Sequence, residues 1–237
     1  MDFKFNKKSL EINDTLVISD LHFGIEDELN KKGHLISDSQ KNLIQQLIEL
    51  TKNKKRLIIC GDLKNNYKGI SSHENRDIKN LIKELSVEIT LIKGNHDNML
   101  SYMFDDKTIY DYYFLNKFLF THGHIPIEEL KMNKLFKEKY KNIKYIVIGH
   151  EHPSISLFDN KRYERFKCFL KTHYDSKELI VLPSFSDAAF GYDFTKENFQ
   201  SDYLSNKNLS EIKVYLYEDK LYEFDSLKQI IESNKKQ

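Results

Sequence analysis

Five short groups rich in aspartate, asparagine and histidine lie along the first two-thirds of this 237-residue chain. They are Asp20-Leu21-His22, Gly61-Asp62, Gly94-Asn95-His96-Asp97, Thr121-His122-Gly123-His124 and Gly149-His150-Glu151-His152. Carboxylate, amide oxygen and imidazole are the donors that hard and borderline divalent cations take. Most of the groups follow a short apolar, β-branched run: Thr15 to Ile18, Leu57 to Ile59, Ile89 to Ile92, Phe118 to Phe120 and Tyr145 to Ile148. Successive strand ends in an open α/β sheet converge on one edge, so five groups placed this way can share one site. Strand alternation would send Asp20 and His22 to the same side, within reach of one ion. A histidine at an apolar strand end is costly without a partner, which favours a shared set of ligands over five unrelated polar ends.

The order D-x-H, GD, GNHD, a lone histidine and G-H-x-H resembles that of the calcineurin-like metallophosphoesterases, over roughly residues 14 to 193. Gly61-Asp62-Leu63-Lys64, Gly149-His150-Glu151-His152-Pro153 and Leu182-Pro183-Ser184-Phe185-Ser186 with Gly191 look like the archaeal predicted phosphoesterases. That group is similar to the bacterial DNA-ligase-associated phosphoesterases. Asn65 departs from the pattern, because many relatives carry His or Asp soon after the GD pair. The resemblance implies two divalent ions, with Asp20, His22 and His152 on the first, Asp62 bridging, and Asn95, His122 and His150 on the second. It also implies hydrolysis of a phosphoester by a metal-bridged hydroxide, with His96 protonating the leaving oxygen. Asp97 is expected either to orient or charge His96, or to cap a following helix. Manganese is the expected ion, with iron, zinc or nickel as alternatives, because the donors are oxygen and imidazole with no thiolate.

Weaker candidates surround this set. His124 follows His122 by two residues and belongs either to the cleft or to a plain loop. Lys64 reads as a solvated lysine rather than a phosphate contact, and Glu151 should face away from its histidine neighbours. His34, His73 and His173 read as surface residues. Lys161 to Lys171 interleaves basic residues with Tyr163, Phe166 and Phe169. Such texture can follow a single nucleic-acid strand, but an antiparallel strand with one buried face is the favoured reading.

Formal net charge is +1, so any contact with a polyanion must rest on a local patch. Of 37 basic residues only Arg56, Arg76, Arg162 and Arg165 are arginine, which leaves little bidentate phosphate recognition. Cys60 and Cys168 sit among apolar neighbours and read as free, buried thiols, too few for a disulfide framework. Met1 to Glu11 lacks a signal-peptide core, and no apolar run approaches the roughly 20 residues that span a bilayer. A cytoplasmic protein with no membrane partner is expected, and its oligomeric state is not legible.

Helical periodicity is clearest from Ile36 to Leu50, with Ser37 or Asp38 as cap. Further helices are expected over Glu74 to Leu85, Glu128 to Tyr140 and Ser226 to Ser233, with a frayed tail from Ser233. Strands alternate with helices through the first three groups, which predicts a mainly parallel sheet. From Ile109 onward close-set strands predict hairpins and a second sheet: Ile109 to Phe114, Phe118 to Thr121, Tyr145 to Ile148 and Ile155 to Phe158, followed by Cys168 to Lys171, Leu179 to Leu182, Ile212 to Tyr217 and Lys220 to Phe224. Thr195 to Asn208 reads as a surface loop. The expected architecture is one domain, residues 1–237, an α/β four-layer αββα sandwich of two mixed sheets flanked by helices, as the resemblance also implies.

The leading functional expectation is a phosphodiesterase or nuclease-like enzyme, with a phosphoester in single-stranded DNA or RNA as partner. A small-molecule phosphatase or cyclic-nucleotide phosphodiesterase is the alternative. A non-catalytic scaffold of the same fold is disfavoured, because every expected ligand position carries a competent residue.

Overall fold

Short β-branched runs extend into strands, and the amphipathic segments between them form the crossovers that parallel strands require. The computed structural model describes residues 2–34, 39–104, 109–159 and 162–236. In the first sheet β3 (Thr15–Ile18), β4 (Arg56–Cys60) and β5 (Glu88–Ile92) run parallel, with Thr15 opposite Arg56 and Arg56 opposite Glu88. The hairpin β1 (Lys4–Asn6) and β2 (Ser9–Ile12) extends one edge, and β6 (Ile109–Tyr110) extends the other. Helices α1 (Ile25–Lys31), α2 (Ser39–Thr51) and α3 (Ser72–Glu84) make the crossovers. A capping box opens α3: Ser71 accepts from the Glu74 amide, and the Glu74 carboxylate accepts from the Ser71 amide.

The second sheet contains β7 (Tyr112–Leu115), β8 (Phe118–Thr121), β9 (Tyr145–Ile148), β10 (Pro153–Asp159), β11 (Arg162–Tyr174), β12 (Lys177–Val181), β13 (Tyr192–Asp193), β14 (Lys213–Tyr217) and β15 (Leu221–Phe224). Its order is β13-β10-β11-β12-β9-β8-β7, with β14 beside β11 and β15 beside β14. β9 runs parallel to β8 and β12, while the hairpins are antiparallel. The long β11 pairs through its first half with β10 and through its second half with β12 and β14.

Pleat alternation sorts the core into three apolar layers. Val17, Ile58, Cys60 and Ile92 meet Phe120, Val147, Phe169 and Ile180 between the two sheets. Leu16, Ile18, Leu57, Ile59 and Leu91 turn outward to Leu43 and Leu47 of α2 and Ile78 and Leu81 of α3. Leu119, Ile146, Ile148 and Leu170 turn to the other side, toward α4 (Ile127–Leu130), α5 (Lys134–Tyr140) and α6 (Leu227–Lys235). The result is the αββα sandwich, and Cys60 and Cys168 are buried free thiols within it.

Several sequence expectations are revised. Ile109 to Phe114 is not one strand: the chain leaves the first sheet at Tyr110 and enters the second at Tyr112. The helix expected over Glu128 to Tyr140 breaks at Asn133, whose side chain accepts from the Leu135 and Phe136 amides and starts α5. Thr195 to Asn208 contains no strand or helix and is mostly exposed, as expected of a surface loop, but it is pinned to the core by buried Tyr203 and Leu204. The carboxylate of Glu151 draws it inward by accepting from the amides of Gln200 and Ser201 and from the Ser201 hydroxyl. Helix α1, with no buried residue and no apolar stripe, and the β1–β2 hairpin were not anticipated. Helix α6 continues to Lys235 rather than fraying from Ser233. The proposed caps Ser37 and Asp38 lie outside the described residues.

Candidate metal centre

All five groups meet at one end of the sandwich. β3, β4 and β5 deliver Asp20, Asp62 and Asn95 from the first sheet, and β8 and β9 deliver His122 and His150 from the second. Backbone bonds lace these ends together: Asp20 N to Gly61 O at 3.1 Å, His22 N to Asp62 O at 3.0 Å and Gly149 N to His122 O at 2.9 Å. The Asp20 carboxylate accepts from the His150 amide at 3.2 Å.

The local backbone differs from the strand alternation expected of Asp20 and His22. Strand β3 ends at Ile18, and both residues adopt left-handed conformations, with φ of 58° and 49°. Asp62, His150 and His152 do the same, with φ of 51°, 67° and 43°. Each such non-glycine residue costs about 1–3 kcal/mol and persists only where its surroundings hold it. Gly94 serves close approach instead: a Cβ there would collide with the Asp62 carboxylate and amide.

One donor atom each from Asp20, His22, Asp62 and His152 lies within 4.8 Å of all the others. His152 Nε2 is 2.9 Å from Asp20 Oδ1, and His22 Nε2 is 3.2 Å from His152 Nε2. On the other side His122 Nε2 is 3.0 Å from Asn95 Oδ1, and the His122 and His150 ring centroids are 5.0 Å apart. Asp62 Oδ2 lies 3.8 Å from His22 Nε2 and 3.4 Å from His122 Nε2, so one carboxylate faces both histidine groups. Converging imidazole nitrogens interleaved with buried carboxylates fit divalent cations.

The charge states are close to those a metal requires. Burial, aided by His152, pushes His22 down to about 3. Burial, aided by His122, pushes His150 and His124 down to about 4. Burial also opposes the charge of Asp62, but His122, His22 and His96 hold it well below the usual carboxylate range. His122 is the exception: burial lowers it, yet Asp62 and Asp20 carry it up to about 9.

His96 stands at the edge of the cluster with its side chain 28% exposed and Nε2 4.0 Å from Asp62 Oδ2. Its Nδ1 is 2.5 Å from the Asn65 carbonyl, which can only accept, so Nδ1 carries a hydrogen and Nε2 is the atom left facing the cluster. Asp97 is directed neither to the His96 ring nor to a helix. Its buried carboxylate accepts from the amides of Gly94 and Leu63 at 2.9 Å each and of Lys64 at 3.3 Å, and burial with Asp62 raises it to about 6. Among the described residues the chain just beyond it makes a 3-10 turn, Leu100–Tyr102, rather than an α-helix. Lys64 is not solvated: it is buried and donates to the carbonyls of Asn66 and His96. Lys64 and Asp97 thus clasp the GNHD loop to the GD loop.

His124 is half-buried, its ring centroid 5.2 Å from that of His122, and its Nδ1 has no hydrogen-bond partner among the described residues. His34, His73 and His173 are exposed, as expected. Lys167 is a residue that sequence reasoning missed. Its ammonium donates to the Ser184 carbonyl at 3.0 Å, the Ser184 hydroxyl at 2.7 Å and the Ser186 carbonyl. The same segment braces the D-x-H turn, since Phe185 N donates to Ser19 O at 2.8 Å and Ser186 N to Asp20 O at 3.3 Å. The available signal was the Leu182-Pro183-Ser184-Phe185-Ser186 motif. The rest of Lys161 to Lys171 behaves as a strand with buried Cys168, Phe169 and Leu170. Arg165 is engaged by Gly191 O, Asp193 and Glu197, and Lys171 by Glu178, while Lys161 lies outside the described residues.

Residues 14–171 match the sequence profile of the calcineurin-like phosphoesterases, and the chain belongs to that family. It is a metal-dependent phosphoester hydrolase of the αββα type. Among solved structures, the nuclease MPE of Pseudomonas putida is similar at 17% identity over 92% of each chain, with a TM-score of 0.61. An archaeal phosphodiesterase is similar at 17% identity over 89% of this chain and 98% of its own, with a TM-score of 0.41. No curated protein matches the chain. Among the described residues no helix is long and apolar enough to cross a membrane.

Proposed function

We propose that this chain is a dinuclear-metal phosphodiesterase whose preferred substrate is a strand of nucleic acid. The observation that carries the reading is Asp62, whose Oδ2 faces His22 on one side and His122 on the other, in a cluster of four mutually close donors. Asp20, His22 and His152 would hold one ion, Asn95, His122 and His150 a second, and Asp62 both. When bound, the cations supply Lewis acidity and neutralise charge on the phosphoryl oxygens, and manganese suits this oxygen and imidazole set. His96 works beside them as the proton donor to the leaving oxygen. Its ring is fixed through Nδ1 by the Asn65 carbonyl, and its backbone by the Asp62 carboxylate and the Lys64 ammonium. The fold shared with a nuclease supports a diester rather than a monoester substrate.

The test is a manganese-dependent assay comparing bis(nitrophenyl) phosphate, nitrophenyl phosphate and labelled single-stranded DNA and RNA. Turnover of the diester above the monoester, with cleavage of the strands, is expected. Turnover of the monoester alone would overturn the phosphodiesterase assignment.

A further inference from the structure

Two exposed tyrosines close the ends of a row of rings that runs through the metal centre. Tyr67 lies 6.2 Å from His96, His96 5.0 Å from His22, His22 4.9 Å from His152, and His152 6.4 Å from Tyr192, centroid to centroid. Tyr67 is 57% exposed and Tyr192 40%, although large aromatic side chains ordinarily bury most of their surface. Their backbones are anchored while their rings are partly open to solvent, with the Lys68 ammonium 5.7 Å from the centroid of the Tyr67 ring. Asn98 donates to the Tyr67 carbonyl at 3.3 Å, Tyr192 N to the His152 carbonyl at 2.9 Å, and the Ser154 hydroxyl to the Tyr192 carbonyl at 2.9 Å. Gly191 makes the second approach possible: its φ is 77°, and a Cβ there would collide with the His152 carbonyl.

We propose that Tyr67 and Tyr192 are stacking platforms for the two bases that flank the scissile phosphodiester of a single-stranded nucleic acid. The inference rests on the phosphodiesterase reading of the metal centre. A diester has two ester arms, and a phosphate held at the middle of the row directs one toward each tyrosine. Tyr67, beside the proton donor His96, takes the leaving nucleoside, and Tyr192, beside His152, takes the nucleoside that keeps the phosphorus. A cleft of about 390 Å³ lined by Tyr67, Asn65, Asn66 and His96 offers room for a base on the first arm.

Charge favours stacking over phosphate contacts as the source of affinity. The chain carries a net charge of +1, and Arg165 on β11, one strand removed from Tyr192 on β13, already faces Asp193 and Glu197. The acids near Tyr67 are likewise engaged: Glu28 by Lys32 and Asn65, Asp27 by His73, and Glu74 by the amides of Asn65, Asn66 and Ser71. Base–aromatic stacking tolerates any base and strengthens binding without requiring basic residues.

The experiment measures KM for oligothymidylate and for an abasic oligonucleotide of equal length, with manganese, in the full chain and in Tyr67→Ala, Tyr67→Phe, Tyr192→Ala and Tyr192→Phe. The wild type should show a KM for the abasic strand about tenfold or more above that for oligothymidylate. Each alanine variant should shrink that ratio, and each phenylalanine variant should keep it. Both side chains are exposed, so folding is not at stake. Equal KM values for the two strands in the wild type, or a ratio untouched by either alanine, would overturn the stacking platforms while leaving the phosphodiesterase intact. Inertness toward both strands and toward bis(nitrophenyl) phosphate would overturn both.

Discussion

The Cys60 carbonyl, at the end of a strand of the first sheet, accepts the Nδ1 hydrogen of His122, which follows a strand of the second sheet, at 2.8 Å. This bond ties the two sheets together at the metal centre. It also fixes the imidazole tautomer, leaving Nε2 toward Asp62 and Asn95, which is the arrangement that orients a metal-bound histidine in other proteins.

His122 gives a pH dependence with a definite sign. Without metal the imidazole keeps its second proton up to about 9, because Asp62 and Asp20 outweigh its burial. A ligand nitrogen must be free of that proton, so cation uptake at pH 7 should release it and apparent affinity should rise from pH 7 toward 9. Calorimetry in buffers of different ionisation enthalpy measures the release directly. A binding heat independent of the buffer would exclude it.

Asp62→Asn should depress turnover more than any other single ligand substitution, by about a hundredfold or more, because it removes the charge that faces both histidine groups. Metal content by mass spectrometry should fall in parallel. Near-native turnover at native metal content would contradict a shared carboxylate.

His96→Ala should retain bound metal and lose about 10²–10⁴ in turnover on substrates with poor leaving groups. The loss should shrink for a nitrophenolate, which departs without a proton. An equal loss on alkyl and nitrophenyl diesters would remove His96 from that role.

Lys167 offers a test in stability. Burial pushes it down from its ordinary value of 10.5 to about 7. The fold therefore favours the neutral amine, and the stability this group contributes is present above 10.5 and is lost as pH falls through 7. Three oxygen acceptors partly offset that loss, leaving an effect on the order of a few kcal/mol. Between pH 7 and 9.5 the wild type should gain urea resistance relative to Lys167→Met. Parallel curves for the two proteins would show that the ammonium is not penalised.

Legibility in the sequence followed the range over which each feature is decided. The strands ending at Ile18, Cys60, Ile92, Thr121 and Ile148 are close to their expected bounds, because short continuous apolar, β-branched runs encode them locally. Asp111 shows the opposite case: nothing within Ile109 to Phe114 marks the step between sheets, since Ile109 and Tyr110 are held by β5, which lies back along the chain beyond the GNHD loop, while Tyr112 to Leu115 turn into a hairpin with the adjacent β8.

The sequence by itself determined the family, the layered architecture and the residue types gathered for metal chemistry, because motif order and hydrophobic period are properties of neighbours along the chain. Only the tertiary structure decided which lysines are solvated, that Asp97 serves backbone amides, and that Asp20, His22, Asp62, His150 and His152 take left-handed conformations. The reason is physical. Burial of Lys64 and Lys167 depends on carbonyls supplied by distant loops, and a strained φ is tolerated only where bonds from the other sheet hold it.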